Sequence, residues 1–278
     1  GADLQLILFA SAEEIIKYYE TKSAEYFANF VLGLPYVGEG NQVTPDIIYR
    51  NCTLDINSQE RVVIGCDSGL KKHYVLGNKD GIFYAGITPS WDTIREYLAK
   101  YDRSIAVLDA LPDLTEPRKL REEFPGRVFL CHYAKDRKTF QLIRWGKDKE
   151  AGNVIVDRNR GLQMVIDDFA NKKIPLQGNR DDWQEFQSHW DTLYKITELD
   201  SLGVPQFSWE SSNGMDHWCH ASLYWRVGMD RFKNDGGKIF TGEASSFPIG
   251  QTINQDNTTQ AFPRFIYEQK PEEDWRNT

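Results

Sequence analysis

The chain has 278 residues, of which 40% are hydrophobic and 13% aromatic, and its formal net charge is −8. This apolar content suffices for a substantial core and excludes a wholly disordered protein. No apolar run reaches the ~20 residues that span a bilayer, and no charged-then-apolar leader precedes Leu4, so we expect a soluble cytoplasmic protein with no membrane partner.

The charge is unevenly distributed along the chain. Residues 61–160 hold 19 Lys and Arg against 14 Asp and Glu, a net charge of +5, whereas the remainder carries −13. A local basic excess in an acidic protein is typical of a face that binds a polyanion. The four cysteines, Cys52, Cys66, Cys131 and Cys219, form no Cys-x-x-Cys pair, and we expect reduced thiols.

Residues 1–60 are predicted to form a helical lead-in and a linker. Apolar and aromatic residues recur at helical spacing from Ser11 to Leu32, and Gly33 and Pro35 stop that pattern. Residues 36–60 are polar and rich in turn-forming residues.

The segment 61–131 has the pattern of a mixed sheet with flanking helices. Strands are predicted over 61–66, 72–77, 81–87, 105–108 and 128–131, and helices over 91–101 and 117–124. Three successive strands should form an antiparallel meander, and the later alternation of helix and strand adds parallel neighbours.

Further elements follow towards the end of the chain. A β-hairpin is predicted over 138–157, helices over 158–171 and 215–230, and a strand over 204–209. Beyond Phe232 the chain is rich in Gly, Ser, Thr, Asn and Gln, which predicts an extended polar tail over 233–278.

Three acidic residues have positions that suggest a metal site. Asp67 follows the apolar run Val62–Cys66, Asp109 follows the run Ile105–Leu108, and Asp216 opens the last predicted helix. A carboxylate beside a buried strand is costly unless a cation offsets its charge, and hard divalent ions prefer oxygen ligands. We therefore expect these three residues to be metal ligands and catalytic residues that bind two Mg²⁺ or Mn²⁺ ions.

Histidines and a further acid accompany this set. His220 lies four residues after Asp216 on the same helical face and either orients a ligand or packs in the core, whereas His217 should face elsewhere. Asp113 is either an auxiliary acid or a turn residue after Pro112. A zinc site made of the nearby His and Cys residues does not fit any tetrahedral ligand spacing.

Four basic residues are the expected contacts to DNA phosphates. Lys71 and Lys72 directly follow the Asp67 loop, and Arg137 and Lys138 introduce the predicted hairpin.

The order strand-Asp, strand-Asp, helix-Asp resembles the ribonuclease H-like nucleases. The words Val31-Leu32-Gly33-Leu34-Pro35-Tyr36, Gly65-Cys66-Asp67-Ser68-Gly69 and Asp216-His217-Trp218-Cys219-His220-Ala221 resemble the C-terminal nuclease domain of the large terminase subunit of tailed bacteriophages. The resemblance runs from about Ser11 to about Phe232 and implies an α/β, ribonuclease H-like fold with an inserted β-hairpin, its nuclease domain spanning 61–232. His73 departs from it, because some terminases carry an additional acid at that place.

The resemblance also implies a function. Such a domain cuts concatemeric double-stranded viral DNA at the start and end of packaging, in the bacterial host cytoplasm and transiently at the procapsid portal. Its partners are the terminase ATPase domain, which this chain lacks, the portal protein and the small terminase subunit. The alternatives are another ribonuclease H-like nuclease, such as a resolvase or transposase core, and a non-catalytic module that docks on the portal or small subunit.

Overall fold

The computed structural model describes residues 11, 13, 15–16, 42–53, 56, 60–112, 114–134, 141–147, 150–199 and 205–234. The helices predicted over 11–32, apart from four residues, and the tail beyond Asn234 lie outside this part of the chain. No helix within it is long and apolar enough to cross a membrane.

A nine-stranded sheet forms the centre of the described structure. Its strands in chain order are β1 (Cys52–Thr53), β2 (Val63–Ser68), β3 (Lys72–Asn78), β4 (Gly81–Thr88), β5 (Ile105–Asp109), β6 (Val128–Tyr133), β7 (Ile143–Trp145), β8 (Asn153–Val156) and β9 (Leu176–Gln177). Across the sheet the order is β1-β9-β4-β3-β2-β5-β6-β8-β7.

Six α-helices and a separate hairpin accompany this sheet in the described residues. The helices are α1 (Pro45–Tyr49), α2 (Asp92–Lys100), α3 (Thr115–Glu123), α4 (Arg158–Ala170), α5 (Gln184–Asp191) and α6 (His217–Asn234), and a 3₁₀ turn over Arg180–Trp183 precedes α5. Strands β10 (Leu193–Leu199) and β11 (Pro205–Ser211) pair with each other in a two-stranded sheet.

The topology of the central strands confirms the predicted fold class. Strands β2, β3 and β4 form an antiparallel meander. Strand β5 pairs in parallel with β2, and β6 pairs in parallel with β5. This order, with β2, the first strand of the meander, at the centre, is the ribonuclease H-like arrangement. The predicted hairpin is present as the antiparallel pair β7 and β8, and β8 extends the sheet by pairing in parallel with β6.

The alternation of side chains along the central strands builds a core on each face of the sheet. Val63 and Val107 pack beneath α6, and Ile64 and Leu108 pack on the opposite face against α2 and α3. Because side chains alternate with period two, every second residue of β2 and β5 faces α6. Asp67 and Asp109 both belong to that series.

Several element boundaries differ from the predicted ones, and two of these differences affect the candidate site. Strand β2 ends at Ser68 rather than at residue 66, because Asp67 and Ser68 continue the ladder with His73 and Lys72 of β3. Helix α6 begins at His217 rather than at residue 215, so Asp216 precedes the helix. The elements between residues 172 and 199 were not predicted, since each is short and the segment has no long periodic run.

Candidate active site

The first two acids lie side by side at one edge of the sheet. Cys66 pairs with Leu108 in the parallel ladder of β2 and β5, so Asp67 and Asp109 are the next residues of adjacent strands. Parallel strands end at the same edge, which is where α/β proteins place their ligand sites. Asp67 is 9% exposed, and Asp109 is partly buried.

The third acid lies at the same edge, directly before α6, and this helix packs chiefly on β2 and β3. Asp216 is 9% exposed, and its backbone carbonyl accepts hydrogen bonds from the N–H groups of Cys219 and His220 in the first turn of the helix. The partial positive charge at a helix N-terminus favours a carboxylate there. Both sheet and helix therefore present carboxylates at this edge.

His220 orients Asp216. Its Nε2 lies 3.1 Å from Asp216 Oδ2, and its Nδ1 lies 2.5 Å from the Tyr133 hydroxyl. An ionised carboxylate can only accept hydrogen bonds, so the His220 Nε2–H donates to Asp216. The role of His220 in orienting a metal ligand stays a prediction, and the structure places its ring against Asp216.

His217 holds Asp67, contrary to the expectation that it faces elsewhere. Its Nδ1 lies 2.8 Å from Asp67 Oδ2, and its ring stacks on that of His73 with centroids 4.5 Å apart. The expectation assumed that residues 216 and 217 are successive helical positions about 100° apart. Asp216 lies outside the helix, so that angle does not apply, and the first helical side chain extends over the end of β2.

Two tyrosines lie beside His220 and Asp109. The rings of Tyr133 and Tyr224 stack with their centroids 5.9 Å apart, and the Tyr133 hydroxyl lies next to His220 Nδ1. The Tyr224 hydroxyl acts to lower the pKa of Asp109. Sequence reasoning missed both tyrosines, although Tyr224 follows His220 by four residues and Tyr133 ends the strand beside β5.

The three acids do not share one electrostatic environment. Burial, with a contribution from the charge of Asp67, raises the pKa of Asp109 to about 6, although the Leu111 N–H donates to its carboxylate. Burial also acts to raise the pKa of Asp216, but the His220 hydrogen bond and the charges of His220 and Arg158 outweigh it and leave that pKa lowered. Arg158 Nη2 lies 3.5 Å from Asp216 Oδ2.

The oxygen donors of this edge fit a hard divalent cation by their chemistry. In the described residues, however, no three His, Cys, Asp or Glu side chains are grouped so as to hold a metal ion. Each acid is instead held by its own partner: Asp67 by His217, Asp109 by the Leu111 N–H, and Asp216 by His220 and Arg158. The predicted set is thus assembled at one edge without forming a three-ligand cluster.

The predicted DNA contacts are placed as follows. Lys71 is exposed in the turn between β2 and β3. The Lys72 ammonium group turns back, donating to the carbonyls of Leu70 and Pro89, and lies 5.3 Å from the centre of the Trp91 ring. Asp113, Arg137 and Lys138 lie outside the described residues.

A second imidazole lies behind His217 and was not anticipated. His189 of α5 is 2% exposed, and its Nδ1 accepts a hydrogen bond from the Trp218 N–H at 3.3 Å. It therefore satisfies a backbone donor in the first turn of α6. Burial, then the charge of His217, lowers the pKa of both His73 and His189 to about 4, so both rings are neutral at pH 7.

No protein-family model matches the sequence, and no curated protein is similar to it. Among solved structures, the large terminase nuclease from thermophilic phage G20c matches with a TM-score of 0.41 and 8% identity over 66% of this chain and 96% of that one. The same nuclease with bound magnesium gives 0.41 and 7% with the same coverage.

The large terminase from a second thermophilic bacteriophage also matches, with a TM-score of 0.39 and 11% identity. The match covers 78% of this chain and 51% of that protein, so it spans about half the length of the second terminase. Each of these similar structures is a large terminase, or the nuclease part of one, from a thermophilic phage.

Proposed function

We propose that this chain is a divalent-metal-dependent endonuclease domain of a viral DNA-packaging terminase. The observation that carries the proposal is the meeting of Asp67, Asp109 and Asp216 at one edge of a ribonuclease H-like sheet. These acids lie on separate elements, and each is oriented by a hydrogen-bonded neighbour. A site of preoriented carboxylates suits a cation more than it suits an anionic ligand.

Mg²⁺ or Mn²⁺ ions, bound as a pair by these three residues, would activate a water molecule and stabilise the departing oxygen of a phosphodiester. In the hydrolysis, the water oxygen bonds to phosphorus as one phosphorus–oxygen ester bond breaks. One water proton ends on the departing oxygen as a hydroxyl group, and the other stays on the phosphomonoester.

The protein's own contribution is orientation and charge balance. The His217 N–H directs Asp67, and the His220 N–H directs Asp216, while Arg158 offsets part of the negative charge. Lys71 is exposed after the Asp67 strand and, on this proposal, would contact a DNA phosphate. On this proposal DNA is held weakly and without sequence preference, since phosphate contacts carry no base information.

The same proposal includes the biological setting implied by the resemblance of the segments Val31–Tyr36 and Asp216–Ala221 to terminases. The domain would act beside a terminase ATPase domain, on concatemeric viral DNA in the host cytoplasm, and at the portal of the procapsid.

Plasmid cleavage by the full chain tests the catalytic proposal. We expect cleavage with Mg²⁺ or Mn²⁺, none with chelator, and loss of activity in Asp67→Asn, because an amide does not replace a carboxylate as a metal ligand. Asp102→Asn is the matched control, since Asp102 is exposed before β5, at the opposite edge of the sheet. Equal cleavage by folded Asp67→Asn and wild type would refute the site, and an inactive wild type would favour the docking-module alternative.

A further inference from the structure

Three large apolar side chains are exposed around the candidate active site. Leu70 is 97% exposed, Leu111 59% and Met215 47%, and each lies within three residues of one of the three acids. Scattered exposed apolar residues are ordinary on protein surfaces. The grouping of these three around one site is not explained by the packing of the fold, and we call them the apolar rim.

The backbone of the rim residues is held by hydrogen bonds on the sheet side of the site. The Lys72 ammonium group donates to the Leu70 carbonyl at 3.4 Å, and the Ser68 hydroxyl donates to the Leu111 carbonyl at 2.9 Å. The Leu111 N–H donates to the Asp109 carboxylate at 3.1 Å. These bonds hold both segments while their side chains extend into solvent.

Met215 is held in the same way on the helix side. Its N–H donates to Asn213 Oδ1 at 2.9 Å, and its carbonyl accepts from the Thr192 hydroxyl at 3.4 Å. A side chain on a fixed backbone loses less freedom when it is covered by a ligand, so the apolar rim is preorganised for contact.

The surroundings of the rim indicate what would cover it. Leu70 is followed by the exposed cation Lys71 and lies three residues from Asp67. A ligand that fits this turn has negative charge next to apolar surface. A bound cation would have to lie between its negative charge and the carboxylates of the site. Double-stranded DNA has these properties, because phosphates alternate with sugar rings and base faces, and leucine and methionine are among the side chains that proteins insert between base steps.

We propose that the apolar rim contacts double-stranded DNA, with Leu70 inserted between the base pairs beside the phosphodiester that is cut. This inference rests on the proposed nuclease function and specifies how the same site engages its substrate. Separating two base pairs kinks the duplex and would bring the phosphodiester between them against the carboxylate edge, with Lys71 on the adjacent phosphate.

A mismatched duplex provides the test. A mismatch lowers the free energy needed to unstack the bases. Cleavage by a protein that lacks the inserted Leu70 side chain, the wedge, should therefore depend more strongly on a mismatch. We would map cleavage by the full chain with Mn²⁺ at nucleotide resolution in one duplex with a central mismatch, comparing the mismatched step with paired steps of the same strand. Wild type, Leu70→Ser and Leu199→Ser are compared, because Leu199 is 69% exposed at the end of β10, outside the rim.

We expect Leu70→Ser to cut paired steps about tenfold more slowly, a change equivalent to ~1.4 kcal/mol, and to retain most cleavage at the mismatch. Leu199→Ser should behave as wild type, and all three proteins should melt at similar temperatures because both leucines are exposed. If Leu70→Ser has the wild-type ratio of mismatched to paired cleavage, or if Leu199→Ser changes equally, the wedge is refuted while the nuclease function stands. If the wild type cuts neither step, the proposed function itself fails.

Discussion

At the scale of single residues, the orientation of Asp67 depends on His217. The hydrogen bond between them raises the pKa of His217 and fixes one carboxylate oxygen at the edge of the sheet. The ring of His73, which is 6% exposed, stacks on one face of the His217 imidazole ring. A carboxylate that is already oriented loses less entropy when it binds a cation.

We expect His217→Ala to reduce cleavage by roughly 10- to 100-fold at limiting Mn²⁺, the usual effect of removing a group that orients a metal ligand. His217→Gln retains an N–H donor and should recover part of this loss. The measurement is the cleavage rate as a function of Mn²⁺ concentration. An unchanged Mn²⁺ dependence accompanied only by a lower melting temperature would assign His217 a purely structural role.

At the scale of elements, the close approach of α6 to β2 places the acids together. A Cβ atom at Gly65 would lie 2.1 Å from the Ala221 carbonyl oxygen and 2.3 Å from the Trp225 nitrogen. Both are backbone atoms, so a side chain at this position requires a shift of the whole helix. The absence of a side chain at Gly65 thus sets how near Asp216, His217 and His220 lie to the sheet.

Gly65→Ala should therefore lower the free energy of unfolding by about 3 kcal/mol, at the upper end of the range for overpacked cores. Gly69→Ala is the control, because its Cβ would lie 3.3 Å from the Lys71 carbonyl oxygen in a surface turn, and we expect a change within about 0.5 kcal/mol. Urea unfolding of both variants measures the difference. Equal stabilities would contradict the close packing of α6 on β2.

At the scale of the whole molecule, two buried neutral imidazoles make stability depend on pH. An unfolded histidine has a pKa of about 6.5, whereas His73 and His189 have pKa values of about 4 in the folded protein. Between these values the unfolded state binds more protons, so stability falls as pH falls, by about 1.4 kcal/mol per pH unit for each histidine. Asp109, with its pKa raised to about 6, acts in the opposite sense between about pH 6 and 4 and offsets one of them.

We expect the free energy of unfolding, measured with chelator, to fall as the pH is lowered from about 6.5 to 4. His189→Asn preserves an acceptor for the Trp218 N–H and removes one titrating group, so its slope should be smaller by about 1.4 kcal/mol per pH unit. Urea unfolding at several pH values compares the two proteins. If their slopes are the same, His189 is not the neutral buried group that the structure indicates.

The central strands of the sheet and the places of two acids along them can be predicted from local sequence patterns. The apolar runs that end at Asp67 and Asp109 identified β2 and β5, and the intervening strands indicated a mixed sheet with an antiparallel meander, whereas the ribonuclease H-like fold was expected from the resemblance. Period-two alternation puts both acids on one face, and parallel strands put both at one edge. These features depend on local patterns, so they can be derived before the fold is known.

The way in which the acids are held depends on contacts between residues that are far apart in the chain. His217 and Asp67 are 150 residues apart in the chain, and Tyr133 and His220 are 87 apart. His189 lies in a short helix with no sequence signal that linked it to the site. Hydrogen bonds between such distant residues depend on the exact end of α6 and on its distance from β2, and neither quantity is encoded in the local periodicity of the sequence.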